Sequence, residues 1–312
     1  MRISSSMTYT NFLNNYQVNA NTMQGTLDQL ASGKVVNKAS DNPLLVSKIM
    51  DSKVALANNA AYADTIADAK SWTENQYSVL NQVTKSMNRI ITLITAAASS
   101  TNGIDELTAQ KHEINQDLQN IVDSLNTSYG GKYIFAGKNT DTRPFEMQKD
   151  ANGVLTGISY GGTKDGLPRE ISAGVTVDLF ADGSKFMQVT DKEGQTTNLT
   201  DFVANLMNAL GNNPSQSIDQ AKLGTELLSQ AQAFYDNFTT VQTTVSAKET
   251  RLQAAASRNE TEKTNLSTQL SDEQDVDYAE AYMHYQNQMV AYKATLAVGT
   301  KILQTTVLDY MR

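Results

Sequence analysis

The sequence predicts a mainly α-helical, elongated protein in which the N- and C-terminal arms form an antiparallel helical bundle or coiled coil, with a small β-rich domain inserted between them. Three observations support this fold class. Apolar residues repeat with heptad spacing near both ends of the chain. No proline lies between Pro43 and Pro144 or after Pro214, which leaves two stretches free to form long helices. The segment between them is rich in glycine and in short alternating runs.

The two ends of the chain carry matching heptad repeats. Steps of four and three residues near the N-terminus connect Tyr9, Leu13, Tyr16, Ala20, Met23, Leu27 and Leu30. The same steps near the C-terminus connect Tyr285, Met289, Tyr292, Leu296, Gly299, Leu303, Thr306 and Tyr310. Heptad spacing puts such residues on one side of a helix, where they meet a partner helix. Because neither helix can bury its own stripe, the two arms are predicted to pair with each other.

The terminal stripes are weak by coiled-coil standards. They hold Tyr, Thr, Met, Gly and Ala where a stable dimer has Leu and Ile, and Gly299 costs a helix about 1 kcal/mol relative to Ala. The arms are therefore predicted to be largely disordered in the free monomer and to fold against neighbouring subunits. The candidate assembly interface comprises Leu13, Tyr16, Met23, Leu27, Leu30, Tyr285, Met289, Tyr292, Leu296, Leu303 and Tyr310.

Helix signals divide the chain into three parts. The terminal coiled-coil domain is predicted over 1–39 and 272–312, a helical rod over 40–137 and 198–271, and the inserted β-rich domain over 138–197. The first helix is expected to end near Gly33, and the second to begin at Asn42-Pro43. The acidic run 271–275 is expected to restart the last helix. Core-type stripes occupy Leu107, Ile114, Leu118, Ile121 and Leu125, and Leu227, Ala231, Phe234, Phe238, Val241, Val245, Lys248, Leu252 and Ala255.

The inserted segment shows the alternation of short strands. The candidates are 132–137, 144–147, 157–160, 171–177 and 185–189. The glycine pairs Gly130-Gly131 and Gly161-Gly162 and the Asp165-Gly166 pair lie beside these runs and predict tight turns.

Composition and motifs argue against catalysis. The chain has 312 residues, a net charge of −8 and no cysteine, so disulfides, thiol chemistry and a basic nucleic-acid interface are excluded. No apolar run is long enough to cross a membrane, and the start lacks the apolar core of a cleaved signal. Neither His112 nor His284 stands in a metal or triad pattern, and the acidic cluster after residue 271 lacks the glycine of a calcium loop. We expect no catalytic, metal or cofactor site.

Several stretches resemble the flagellin family. Residues 27–37 followed by Ser40-Asp41-Asn42-Pro43 are similar to the flagellin signature in which a helix ends at a Ser-Gly-Lys turn before an acidic pair and a second helix. The start Met1-Arg2-Ile3-Ser4 and the stretches 130–137, 143–145, 275–281 and 306–310 are similar to the hook-associated members of that family. The family usually has a second Asp where this chain has Asn42, and residues 150–200 match no motif.

The resemblance implies a structural adaptor subunit that joins the flagellar hook to the flagellin filament. It also implies partners: another hook-associated protein on the hook side, flagellin on the filament side, further copies of the chain in a ring, and an export chaperone on the C-terminal helix. Such proteins lie outside the cell in the bacterial flagellum and leave through its export apparatus without a cleaved signal. No nucleic acid or membrane partner is implied.

Other functions remain possible on sequence grounds. The nearest alternative is a flagellin, the subunit of the filament itself. An exported enzyme with its chemistry in residues 138–199 lacks support, because that segment has no histidine or cysteine and no evident acid–base pair. A translocator of a related secretion system would need an apolar membrane-inserting hairpin, which the sequence lacks.

Overall fold

The computed structural model describes residues 2–99, 103–151, 155–179, 183–191, 194–211 and 218–310, with the side chains of 2–5, 104 and 302–310 outside that description. By their contacts the residues group into two compact units. One, the terminal unit, comprises 1–60 and 261–312; the other, the central unit, comprises 61–260. The helical arms and β-rich middle of the predicted fold class are confirmed, while the three-part domain division stays a prediction.

Two long helices form most of the terminal unit. The first, α1 (Arg2–Ser32), and the last, α7 (Tyr278–Tyr310), pack against each other in opposite directions. The N-terminal part of α2 (Pro43–Ala97) and the C-terminal part of α6 (Leu228–Gln274) complete the unit. The predicted boundary between α1 and α2 is confirmed. Gly33 ends α1 with a φ of 71°, and the Asn42 side-chain oxygen accepts a hydrogen bond from the Leu45 N–H at 3.1 Å at the start of α2.

The connection between α6 and α7 differs from the expected helix restart at 271–275. Those residues instead end α6, and α7 begins at Tyr278. An antiparallel bridge explains the break, because the Val35 N–H donates to the Gln274 carbonyl at 2.8 Å and the Val276 N–H donates to the Gly33 carbonyl at 3.0 Å. A helix cannot continue through residues whose backbone groups pair with another segment. Asp277 then caps α7 by accepting hydrogen bonds from the next helical N–H groups.

The hydrophobic core lies in the central unit. It is built from α2, α3 (Ile104–Leu125), α4 (Leu199–Ala209) and α6, which α5 (Gln220–Lys222) and a π-helical turn (Leu223–Leu227) precede. Both predicted core stripes are confirmed, since the apolar residues of the Leu107–Leu125 and Leu227–Ala255 sets are buried. Phe186 lies at the centre of an aromatic group, with ring centroids 5.6 Å from Phe135 and 5.4 Å from Phe238.

Charged contacts add to the pairing of α2 with α3. Arg89 on α2 reaches the carboxylate of Glu113 at 3.1 Å and that of Asp117 at 3.3 Å. Burial raises the pKa of Asp117, and Arg89 acts against this shift. Because Arg89 is exposed, its ion pairs add little to the stability of the fold. We infer that they mainly help to align α2 with α3.

The described strands form two-stranded antiparallel hairpins: β1 (Ser128–Tyr129) with β2 (Lys132–Tyr133), β3 (Phe145–Lys149) with β4 (Leu155–Tyr160), β5 (Pro168–Ser172) with β6 (Val175–Asp178), and β7 (Gln188–Thr190) with β8 (Thr196–Asn198). The candidates at 144–147 and 157–160 are confirmed as the β3–β4 pair.

Three strand expectations need correction. The run 171–177 is a hairpin because Gly174, with a φ of 71°, turns the chain within it. The run 185–189 begins as a 3-10 turn (Gly183–Phe186), which buries the Phe186 ring. In the run 132–137 only the first two residues are a strand. There the buried Ile134 carbonyl accepts a hydrogen bond from Gln76 on α2 at 3.0 Å instead of from a neighbouring strand.

Asn126 secures the entry into the β3–β4 hairpin. Its side-chain amide donates to the Phe145 carbonyl at 2.8 Å, and its side-chain oxygen accepts from the Phe145 N–H at 2.9 Å. We expect Asn126→Ala to lower the free energy of unfolding of the central unit by about 2 kcal/mol, because two backbone groups lose their partner. Urea unfolding checks this, with Gln116→Ala on the exposed face of α3 as the control; equal midpoints for the two variants would contradict it.

Candidate assembly interface

The contact between α1 and α7, here called the terminal seam, follows a heptad pattern. On α1 it comprises Phe12, Tyr16, Asn19, Met23, Thr26 and Leu30, and on α7 Ala281, Tyr285, Gln288, Tyr292, Thr295 and Gly299. Each set steps by four and three residues, and every member is buried or half-buried. About half of the seam is polar or small, so its apolar gain is modest.

Specific side-chain contacts fix the register of the terminal seam. The hydroxyls of Tyr16 and Tyr292 are 2.9 Å apart and their ring centroids 5.4 Å apart. One turn away, the Asn19 side-chain amide donates to the Thr295 hydroxyl at 2.9 Å. The hydrogen bond with Tyr16 raises the pKa of Tyr292, since it stabilises the neutral phenol.

Gly299 lets the two helices approach closely. A Cβ built on this residue would overlap the ring of Phe12, so the ring rests on the backbone of α7 where any other residue would hold it away. The sequence reading treated Gly299 only as a weak point of the helix. In the structure, the absence of a side chain at Gly299 makes room for the ring of Phe12 on α1.

The predicted interface residues separate into two groups. Tyr16, Met23, Leu30, Tyr285, Met289 and Tyr292 are half-buried, and all but Met289 belong to the terminal seam. Leu13, Leu27 and Leu296 instead lie outside the seam, with 43%, 41% and 41% of their surface exposed. The side chains of Leu303 and Tyr310 lie outside the described residues. Whether these residues contact other subunits stays a prediction.

Sequence reasoning missed half of the seam. Six seam residues were absent from the predicted stripes: Phe12, Asn19, Thr26, Ala281, Gln288 and Thr295. Four of them are polar, and those stripes were traced mainly through apolar residues. The missed signal is a second 4-3-4-3-4 repeat that begins at Phe12, one position before the Leu13 of the chosen stripe.

Exposed hydrophobic side chains concentrate in the terminal unit. Among the described residues, every large hydrophobic side chain with an exposed surface belongs to this unit except Tyr77, Tyr129 and Val175. We define the exposed stripe as five exposed apolar residues on or next to the faces of α1 and α7 that form the terminal seam: Tyr9, Leu13, Leu27, Tyr282 and Leu296. An apolar surface of this kind on helices is typical of a protein–protein contact.

The terminal unit has almost no apolar core of its own. Its fully buried hydrophobic side chains, among those described, are Ile49 and Ala281. Its buried polar residues include Ser52, whose hydroxyl donates to Glu273 at 2.9 Å. Both large hydrophobic clusters belong to the central unit. The terminal unit therefore gains little stability from apolar burial within this chain.

Potential metal ligands do not cluster among the described residues. Within them no group of three or more His, Asp or Glu side chains could hold a metal ion. His284 is exposed and lies 3.5 Å from Glu280 one turn away on α7, and His112 is exposed on α3. In the same part of the chain no helix has the length and apolarity needed to cross a membrane.

The turn at Gly33 joins the ends of α1 and α6. Its φ of 71° disfavours other residues, and an added Cβ would lie 2.6 Å from the Tyr278 hydroxyl. We expect Gly33→Ala to destabilise the bridge by about 1–2 kcal/mol. Hydrogen exchange at the amides of Val35 and Val276 measures this. Both should exchange faster than in the wild type, whereas Gly25→Ala, where a Cβ meets nothing within 4 Å, should leave them unchanged.

Comparisons with known proteins agree with this architecture. Residues 3–140 match the bacterial flagellin N-terminal helical region. The chain is 30% identical over 169 residues to flagellar hook-associated protein 3 of Salmonella typhimurium, covering 53% of this chain and 50% of that protein. It is 26% identical over 288 residues to flagellar hook-associated protein 3 of Escherichia coli, covering 88% of each. The first match thus spans half the length of that relative.

Solved structures show the same fold. A flagellar hook-associated protein from Vibrio parahaemolyticus superposes with a TM-score of 0.63 at 18% identity, covering 75% of this chain and all of the other. The flagellar junction protein FlgL from Legionella pneumophila superposes with a TM-score of 0.60 at 13% identity, covering 73% of this chain and 99% of the other.

Paired terminal helices, a β-rich middle and the match over 3–140 are features that the chain shares with flagellin-like structural proteins. Within that class its named relatives are flagellar hook-associated protein 3, and the chain is a homologue of that protein.

Proposed function

We propose that this chain is the structural adaptor that joins the flagellar hook to the flagellin filament. The observation that carries the proposal is the terminal unit, which pairs α1 with α7 through a thin seam and leaves the exposed stripe uncovered. Its homology to hook-associated protein 3 favours the adaptor over the filament subunit. An adaptor needs no active site, and mechanical load passes through long helices packed side by side.

The exposed stripe is the surface through which the chain assembles. Copies of the chain form a ring, with another hook-associated protein on the hook side and flagellin on the filament side. Before assembly an export chaperone covers the C-terminal helix, and the chain leaves the cell through the flagellar export apparatus without a cleaved signal. These partners follow from the family resemblance, and the uncovered apolar side chains of α1 and α7 provide contact surface for them.

Copy number separates the adaptor from a flagellin. Mass spectrometry of purified hook–filament complexes should find this chain in a few copies per flagellum, whereas a flagellin is present in thousands. Deletion of the gene should leave hooks that shed flagellin into the medium. A chain found along the whole filament, or a deletion strain that sheds nothing because flagellin is missing, would exclude the adaptor.

Hydrogen exchange in the free monomer tests whether the terminal helices need partner subunits to become ordered. Because the terminal unit buries so little apolar surface, we expect the amides of 9–30 and 285–310 to exchange rapidly in the monomer and slowly in the assembled junction. Amides of the α6 core, such as that of Phe238, should be protected in both states. Strong protection of both terminal segments in the monomer would refute the idea.

A further inference from the structure

A cleft in the central unit lies apart from the residues of the terminal seam and the exposed stripe. It lies between α2, the β1–β2 hairpin and β5, and has a volume of about 440 Å³. Its lining includes Thr65, Asp68, Trp72, Tyr129, Lys132 and Arg169. This volume is in the range of small-ligand pockets, and the combination of aromatic and charged side chains is typical of them.

Two aromatic rings form one side of the cleft. Trp72 on α2 and Tyr129 on β1 meet edge to face, with centroids 6.1 Å apart and ring planes at 88°. The Tyr129 side chain remains 38% exposed. The indole N–H of Trp72 has no acceptor among the described residues, although buried indole groups ordinarily find one. Because the Tyr129 ring is the exposed member of this pair, a ligand with an apolar face would pack against it.

Two cations and one carboxylate, that of Asp68, line the same cleft. Lys132 on β2 and Arg169 on β5 are exposed, and neither forms an ion pair with a described residue. The neighbouring Glu170 is occupied elsewhere, since it accepts from the Gly174 N–H at 3.0 Å and lies 3.5 Å from the Tyr62 hydroxyl. In a chain of net charge −8, this local positive charge favours an anionic ligand.

We propose that this cleft binds a carboxylated sugar of the hexuronic acid type. The guanidinium and ammonium groups would hold the carboxylate through charge-assisted hydrogen bonds. The exposed Tyr129 ring would cover the apolar face of the sugar, and the Thr65 hydroxyl and Asp68 carboxylate would pair with its hydroxyls. The carboxylates of an acidic peptide would also pair with Lys132 and Arg169, but Asp and Glu side chains have no sugar ring to pack against the aromatic side chains.

The chain contains its own reporter for this site, because Trp72 is the only tryptophan. Titration of the full chain with glucuronate should change the tryptophan emission in a saturable way, with half-saturation in the millimolar range expected for one small sugar. Glucose lacks the carboxylate and acetate lacks the ring. Each should need at least about a tenfold higher concentration for the same change.

Charge-removal variants locate the binding. Arg169→Gln and Lys132→Gln should each weaken the glucuronate response about tenfold, whereas Arg258→Gln, which removes an exposed charge from α6, should leave it unchanged. Circular dichroism confirms that each variant is folded. A flat titration, an equal response to acetate, a stronger response to polyglutamate than to glucuronate, or an unaltered response in both cleft variants would overturn the proposal.

Discussion

A strain that carries Leu13→Asp together with Leu27→Asp should secrete the chain but fail to hold filaments on its hooks. Both side chains belong to the exposed stripe, so charges there cost the monomer little. If the stripe is covered by another subunit on assembly, each carboxylate becomes a buried, unpaired charge. Such a charge costs about 3–5 kcal/mol, which lowers the association constant more than a hundredfold.

The readouts for this variant are motility in soft agar and flagellin released into the medium. We expect motility to be lost and flagellin to be shed, while the thermal unfolding of the purified monomer stays as in the wild type. Asn14→Asp together with Asn21→Asp is the matched control, because it adds the same charge at exposed polar positions of α1. Normal motility of the leucine variant, or equal loss in the control, would show that the stripe is not an assembly surface.

The core helices were predictable because apolar residues decide which face they bury. In α6 the repeat through Phe234, Phe238, Val241 and Val245 is buried as predicted, since large apolar side chains on one face have a single favourable destination in a folded chain. The pattern was unambiguous there because the remaining faces of α6 are mostly Gln, Thr, Ser and Asn.

The terminal helices were predicted to pair, but half of the contact residues were not. On α1 two neighbouring faces are candidates for burial: one through Leu13 and Leu27, the other through Phe12, Asn19 and Thr26. The spacing of apolar residues favours burial of the face with Leu13 and Leu27. In the structure, however, the face with Phe12, Asn19 and Thr26 packs against α7. Hydrogen bonds such as that from Asn19 to Thr295 make this polar face of α1 complementary to α7. The sequence of either helix alone does not reveal such a match, because it depends on how the two helices are placed.

The cleft in the central unit shows a different limit of sequence reading. Trp72, Lys132 and Arg169 are far apart along the chain, and no local motif connects them. They meet because the β1–β2 hairpin turns at Gly130-Gly131, both with positive φ, beside α2. The glycine pair was identified as a turn, but the side chains brought together by that turn depend on tertiary packing.

Gly299→Ala should weaken the terminal seam although alanine is the better helix former. On propensity alone the substitution would stabilise α7 by about 1 kcal/mol. A Cβ at this position overlaps the ring of Phe12, and overpacking of this kind costs about 1–3 kcal/mol. Because every copy in the junction carries the same defect, we expect isolated hook–filament complexes to release their filaments at a lower temperature than the wild type.

A second substitution distinguishes the overlap from any other effect of alanine. In a Phe12→Leu background the side chain at position 12 is smaller, so Gly299→Ala should cost nothing or stabilise the complex through helix propensity. Ala297→Gly, at an exposed position of α7, measures the propensity difference by itself. If Gly299→Ala raised the release temperature with Phe12 present, the contact between the Phe12 ring and the α7 backbone would not limit the strength of the seam.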